Sequence, residues 1–289
     1  MLVPFTDTDC DVTPEIAAEY GYRLISMPYS IDGKTIYPYE DFDVFESRKY
    51  YDMLRSGVIP TTSALSEEIY RRHFEPVFAA GNDIIYVHFS AAMSATFDVM
   101  NGVVKELLEK YPGRKFYSID TMGITIVSLL VVREVGDMLK AGVSPEEIEK
   151  WAEKEVPCFS QYFFADDLKF FRRSGRVSGL AAAMGGLIGI RPIIYMNAEG
   201  KMVSVGKETG RAKAINRLLS EIREKGDDVV SHRIIIGHTD SPDIAEEIRN
   251  RLIAEYGEGL RVEICVTNPT AGAHCGPNGV GVAFHSVHR

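Results

Sequence analysis

The sequence predicts two α/β domains, the N-terminal one with a mainly parallel sheet, on three observations. Short β-rich apolar runs alternate with segments of helical periodicity, which is the pattern of strand–helix–strand units and largely parallel sheets. At 289 residues the chain is large for a single core. The alternation also breaks at EVPCFS (155–160), where a charged helix gives way to Pro157. A boundary there gives domains over 1–158 and 159–289.

In chain order, LVPF (2–5) reads as a short opening strand that stops before the acidic residues behind it. TPEIAAEYG (13–21) reads as a helix with Thr13 as N-cap, Pro14 at the first helical position and Gly21 closing it. DIIYVHF (83–89) and KFYSID (115–120) are strands, and SPEEIEKWAEKE (144–155) is a helix opened by a Ser144–Glu147 capping box. HRIIIGH (232–238) and LRVEICV (260–266) are strands flanking a helix over 241–257, whose Ile244, Ile248 and Leu252 share one face. Ligands of such folds favour the carboxyl ends of the strands. Internal repeats and low-complexity segments are not apparent.

Composition narrows the function. Hydrophobic residues at 45% and charged ones at 25% are ordinary for a soluble globular protein. A net charge of −9 argues against non-specific nucleic-acid binding, which needs cationic side chains to displace counterions. The start, MLVPFTDTDC, shows no basic segment leading into an apolar one, so no signal peptide is expected. VSGLAAAMGGLIGI (177–190) is too short and glycine-rich to span a bilayer, and integral membrane association is not expected. Four cysteines without a CxxC pair read as reduced thiols in a cytoplasm.

The segment NPTAGAHCGPNGVGVAFH (268–285) sets His274 in a loop of small residues, with glycines at 272, 276, 279 and 281. A metal ion, a nucleophile or an anion would each make use of a histidine so held. Zinc is disfavoured, since Cys275 is adjacent and no second pair has ligand spacing; no metal or cofactor is expected. Cys275 as nucleophile would need a stabilised thiolate. Asp9-Cys10-Asp11-Val12-Thr13 fits DxDxT, the pattern of a Mg²⁺-dependent phosphohydrolase using Asp9 and Asp11, although Thr13 already serves as a helix cap. Ser94 with His274 would be the core of a serine hydrolase. The remaining candidates are hydroxyls: Thr61, Thr62, Ser63 and Ser66 in PTTSALS (60–66), and Ser90 and Ser94 behind the strand 83–89. Singly each serves as well as a helix cap; together with His274 they offer neutral donors to a carboxylate.

At these residues the chain resembles the DegV family of bacterial fatty-acid-binding proteins, nearly end to end. TDTDCDVTPE is similar to the family's opening TDSxxDL, TTSALS stands for TSQPS, and SAAMSATF for SSxLSGTY. FFADDLKFFRRSGRVSG (163–179) is similar to FxVDDLxYLKRGGRIS, RPII to KPIL, and HCGPNGVGVAF to HxGPGxxG. The resemblance implies a ligand tunnel between two α/β domains, which holds a long-chain fatty acid. It implies that Thr62, Ser94 and His274 hold the carboxyl group, with Ser63 and Gly276 beside them in the same motifs. It also implies a lipid carrier, not an enzyme, that presents the acid to a separate fatty acid kinase for phospholipid synthesis, with Arg172, Arg173 and Arg176 facing that partner. The chain departs from the family in SALS for SQPS, in Ala91 and Ala95 of SAAMSA, and in Ser174 of RSGR; Thr209 stands where an arginine is usual.

An acyl chain suits these residues physically. Each buried methylene is worth about 0.8 kcal/mol, so some ~14 of them gain on the order of 11 kcal/mol before entropy costs. The ionised head must be hydrogen-bonded, and hydroxyls with an imidazole N–H do this without a buried ion pair. GLAAAMGGLIGI (179–190) has little side-chain bulk, which leaves room for a chain beside it or else serves close helix–sheet packing.

Overall fold

A computed structural model describes residues 1–166, 168–179 and 189–289. The small-residue segment 179–190 therefore lies, between 180 and 188, outside the described residues.

The first sheet is four-stranded and wholly parallel, in the order β2-β1-β6-β7, with β1 (Leu2–Asp7), β2 (Arg23–Ile25), β6 (Asp83–His88) and β7 (Phe116–Asp120). The opening strand runs two residues beyond LVPF, because Phe5, Thr6 and Asp7 pair with Arg23, Leu24 and Ile25. Asp7 thus ends the strand, and Asp9 and Asp11 lie on the turn after it. Helices α1 (Pro14–Tyr20), α3 (Glu67–Ala79) and α4 (Thr96–Lys110) belong to this half. The Thr13 cap and the Gly21 closure form as the sequence predicts.

A second sheet of seven strands, β13-β12-β14-β8-β10-β11-β9, is mixed. It comprises β8 (Phe159–Phe164), β9 (Val177–Ser178), β10 (Ile190–Met196), β11 (Met202–Thr209), β12 (Arg233–His238), β13 (Arg261–Val266) and β14 (Val280–His285). Strands β12 and β13 are parallel across a helical crossover, as the alternation predicts, but β14 runs antiparallel to both β12 and β8. A tight turn at Asn197–Gly200 also makes β10 and β11 an antiparallel pair, since so short a connection cannot return a parallel strand. Helices α8 (Arg211–Lys225) and α9 (Pro242–Tyr256) cover it, with Ile244, Ile248 and Leu252 buried. The Ser144–Glu147 capping box opens α6 (Pro145–Glu155), just before the chain passes into the second sheet.

Between the sheets lies α5 (Ile126–Lys140), which packs on β6 from one side and on β8, β12 and β14 from the other. Its sequence IVSLLVV is apolar all round, the signature of a helix with no solvent face, and seven consecutive residues from Ile126 to Val132 are buried. One continuous core therefore joins Phe5 and Ile84 to Phe163 and Ala283. No described helix is long and apolar enough to cross a membrane.

A third, small sheet orders β4-β3-β5, with β3 (Tyr29–Ile31), β4 (Lys34–Ile36) and β5 (Thr61–Thr62). Asp32 and Gly33 both take positive φ (50° and 78°), the two-residue hairpin turn that Asp-Gly favours. The hairpin then pairs Tyr29 with Thr62.

Asp11 ties the two halves together. Its Oδ1 accepts from Asn268 N at 2.8 Å and from Asn268 Nδ2 at 2.7 Å, 257 residues away in sequence. Burial raises its carboxyl from 3.8 to about 7 against the lowering effect of those bonds. The unfolded chain then ionises first as pH rises, so the stability Asp11 contributes at acid pH falls between about 4 and about 7 and levels off above. Asp11→Asn keeps an oxygen for both Asn268 donors and tolerates φ 53°. In urea unfolding at several pH values, its stability relative to the wild type should rise by on the order of 3–4 kcal/mol across that window, at about 1.4 kcal/mol per pH unit. A pH-independent difference would show that Asp11 is not held protonated.

Candidate functional site

The hairpin places Thr62, and a short helix places His274. Residues Pro269–Cys275 form α10, not the loop expected, because Asn268 caps it by accepting from Ala271 N at 2.9 Å and Pro269 opens it. His274 falls in its last turn. The helix stops at Gly276 (φ 70°), where a Cβ would lie 2.3 Å from the Phe170 ring, so only glycine fits. Two tyrosines of α2 (Ser47–Arg55) hold the start of α10: Tyr50 donates to Pro269 O at 2.6 Å and Tyr51 to Thr267 O at 2.9 Å.

The outcome is a hydrogen bond of 2.9 Å between Thr62 Oγ1 and His274 Nε2. Burial, aided by the positive charge of Arg176, lowers the imidazole to about 4, so at neutral pH the ring is uncharged. A helix C-terminus would favour the cation, but burial wins here. Ser94 follows a 3-10 turn at Ala91–Met93, and its Oγ accepts from Thr96 N at 3.2 Å. Its hydroxyl hydrogen is thus left for another partner.

Thr62, Ser63, Ser94 and His274 all line one cavity of about 200 Å³, against the roughly 10–15 Å³ that one water needs. Its other walls include Met27, Phe89 and Ile124, from the segments that follow strands of the first sheet, and Phe163, Met202 and Val280, from the second. A second, shallower pocket of about 160 Å³ shares Thr62, Arg176 and His274 and adds Arg173 and Phe170. The Thr62–His274 pair therefore stands where the inner cavity meets an outer groove. Of the three arginines, Arg176 borders both spaces, Arg173 borders the groove, and Arg172 is exposed on α7 (Lys169–Ser174). Gly276 supports the end of α10 and does not line the cavity.

The other chemistries find little here. Cys275 has its thiol pushed up to about 12 by burial and by Asp11 and Asp9, which keeps it protonated. Asp11 turns away to Asn268, and burial with the charges of Asp7 and Asp11 pushes Asp9 well above the carboxylate range, so the pair makes a poor nucleophile and proton carrier. Ser94 and His274 bond other partners here: Ser94 Oγ accepts from Thr96 N and His274 Nε2 pairs with Thr62 Oγ1. Two of the lining residues, Gln161 and Thr125, went unremarked in the sequence, while His238 reads there as an ordinary histidine. A glutamine inside the apolar strand FSQYFF is the signal that could have found the first.

Comparison with known proteins gives a consistent picture. The family model described as an uncharacterised protein of the DegV family matches residues 4–287. A DegV domain-containing protein of Clostridium perfringens is 30% identical over 254 residues, 88% of this chain and 87% of that one. Among solved structures, a stearic-acid-binding protein from Eubacterium ventriosum superposes with a TM-score of 0.87 at 19% identity, covering 99% of this chain and 98% of that one. A DegV family protein from Thermus thermophilus, described by its fatty acid binding, gives 0.84 at 21% identity with 99% of each chain covered. The likeness of the motifs thus extends to the whole sequence and to the backbone, and the chain belongs to the DegV family.

Proposed function

We propose that this protein binds a long-chain fatty acid in the cavity, with its carboxyl group held by Thr62, Ser94 and His274 and by Ser63 beside them, and acts as a carrier and not an enzyme. The observation that supports this best is the Thr62–His274 pair at the junction of an inner, largely apolar cavity and an outer groove. A neutral imidazole and hydroxyls satisfy carboxylate oxygens without a second buried charge. The nearby Arg176 attracts the anion, and the apolar wall takes the methylenes. The fatty acids bound by the solved relatives agree with this reading. Residues 1–158 and 159–289 act as the two lobes that shelter the chain.

In this reading the protein works in the cytoplasm and offers the carboxyl group to a separate fatty acid kinase, which forms the acyl phosphate for phospholipid synthesis. The exposed Arg172 and Arg173, with Arg176 at the groove, form the basic surface for that encounter.

Organic extraction of the purified protein followed by mass spectrometry should release a fatty acid. Protein that is empty and refuses added fatty acids in a titration contradicts the reading. His274→Ala should weaken fatty acid binding by roughly 10- to 100-fold, the worth of a hydrogen bond to a charged group. The double variant Arg172→Glu, Arg173→Glu should keep that affinity but lose most phosphorylation of the bound acid when a fatty acid kinase is supplied; unchanged phosphorylation would remove this surface from the encounter.

A further inference from the structure

At the end of the second sheet away from the cavity, three side chains that can ligate a metal converge. Strand β14 runs from Val280, which lines the cavity, to His285, which is paired with Phe159 at the start of β8. There the Cys158 sulfur, a carboxylate oxygen of Glu155 and a ring nitrogen of His285 all lie within 4.8 Å of one another. The sequence disfavours zinc at His274 and Cys275, but this group is a different one. Its spacing hides it, since Glu155 and His285 stand 130 residues apart.

The surrounding backbone holds the three in place. Glu155 ends α6, and Cys158 ends the single 3-10 turn (Val156–Cys158) that follows it. Ser286 N donates to Cys158 O at 2.6 Å, and Asp227 N donates to His285 O at 3.1 Å. The His285 side chain is 7% exposed, and His232 stacks on its ring with centroids 3.9 Å apart. Its Nδ1 faces the Asp227 carbonyl at 3.4 Å. A carbonyl only accepts, so Nδ1 carries the hydrogen, and the neutral ring turns the lone pair of Nε2 toward Glu155 Oε2, also at 3.4 Å. The other oxygen of Glu155 is paired with Lys154 Nζ at 2.9 Å. Two acceptors thus face each other. Beside them, Cys158 Sγ meets the carbonyls of Lys154 and Val287 only at 3.7 and 3.6 Å.

A histidine oriented through Nδ1 by a backbone carbonyl, with Nε2 left free, has the outer-shell support typical of a metal ligand. The separation also fits, because nitrogen and oxygen ligands each ~2.1 Å from a tetrahedral ion stand about 3.4 Å apart. Magnesium and calcium prefer all-oxygen surroundings, whereas a thiolate with an imidazole suits zinc. We propose that Glu155, Cys158 and His285 bind a Zn²⁺ ion, with water in the fourth position. The ion takes the place of the thiol proton and ties the end of α6 to β14.

Titrating the whole protein, first stripped of metal by a chelator, with Co²⁺ as a spectroscopic substitute for Zn²⁺ tests this. Co²⁺ should bind stoichiometrically with a thiolate-to-cobalt charge-transfer band and the intense visible bands of a tetrahedral site, and Zn²⁺ should displace it. Zn²⁺ should also protect Cys158 from alkylation, read cysteine by cysteine in mass spectrometry. Cys158→Ser should weaken Zn²⁺ binding by about 100-fold or more, since outer-shell partners alone are worth roughly 10- to 100-fold. The absence of a thiolate band, as when a second proton on His285 bridges it to Glu155 instead, overturns the proposal. Zn²⁺ that binds without protecting Cys158 overturns it as well. Both of these readouts use the wild-type protein, so they decide even if the variant fails to fold.

Discussion

The site depends on one contact, the hydrogen bond between Thr62 and His274, whose partners stand 212 residues apart in the chain. A carboxylate taken out of water must be met by donors, yet facing it with a fully buried cation would exchange one desolvation cost for two. An imidazole kept neutral by burial, beside a hydroxyl, avoids both problems. On the carrier reading proposed above, the fold's task is to bring those two distant groups together and keep water from the ring.

Small, separately legible devices accomplish this. On one side, the Asp32-Gly33 turn closes the β3–β4 hairpin, and Tyr29 on its other edge pairs with Thr62. On the other, Asn268 caps α10 and is gripped by Asp11, while Tyr50 and Tyr51 bond the carbonyls at its start. Thr270 reaches back to Met27 O at 2.7 Å, which ties the helix to the segment leading into the hairpin. Behind them the first two turns of α5, buried all round, pack against both sheets.

Much of this was legible in the sequence. The caps at Thr13 and Ser144 and the strands over 83–88 and 233–238 follow from local rules, because local hydrogen bonds decide them. Thr62, Ser63, Ser94 and His274 stood out as hydroxyls and a held histidine, but nothing in their spacing reveals that they line one space. The helix around His274 was hidden by its glycines and alanines, which read as loop until the Asn268 cap and its partner Asp11 are both in view. Strand β1 looked shorter than it is because Thr6 and Asp7 are polar, although both are fully buried by pairing with β2 and by Tyr86 and Phe89 donating to Asp7. The antiparallel run of β14 is a long-range fact that no local pattern carries.

The most direct measurement is the ¹⁵N chemical shift and titration of the His274 imidazole by NMR, with and without stearic acid. The account predicts a ring that titrates near 4 when the protein is empty, and a clear Nε2 shift with a raised pKa once a carboxylate sits beside it. A His274 signal that stays unchanged while the acid binds would place the head group elsewhere and contradict the account.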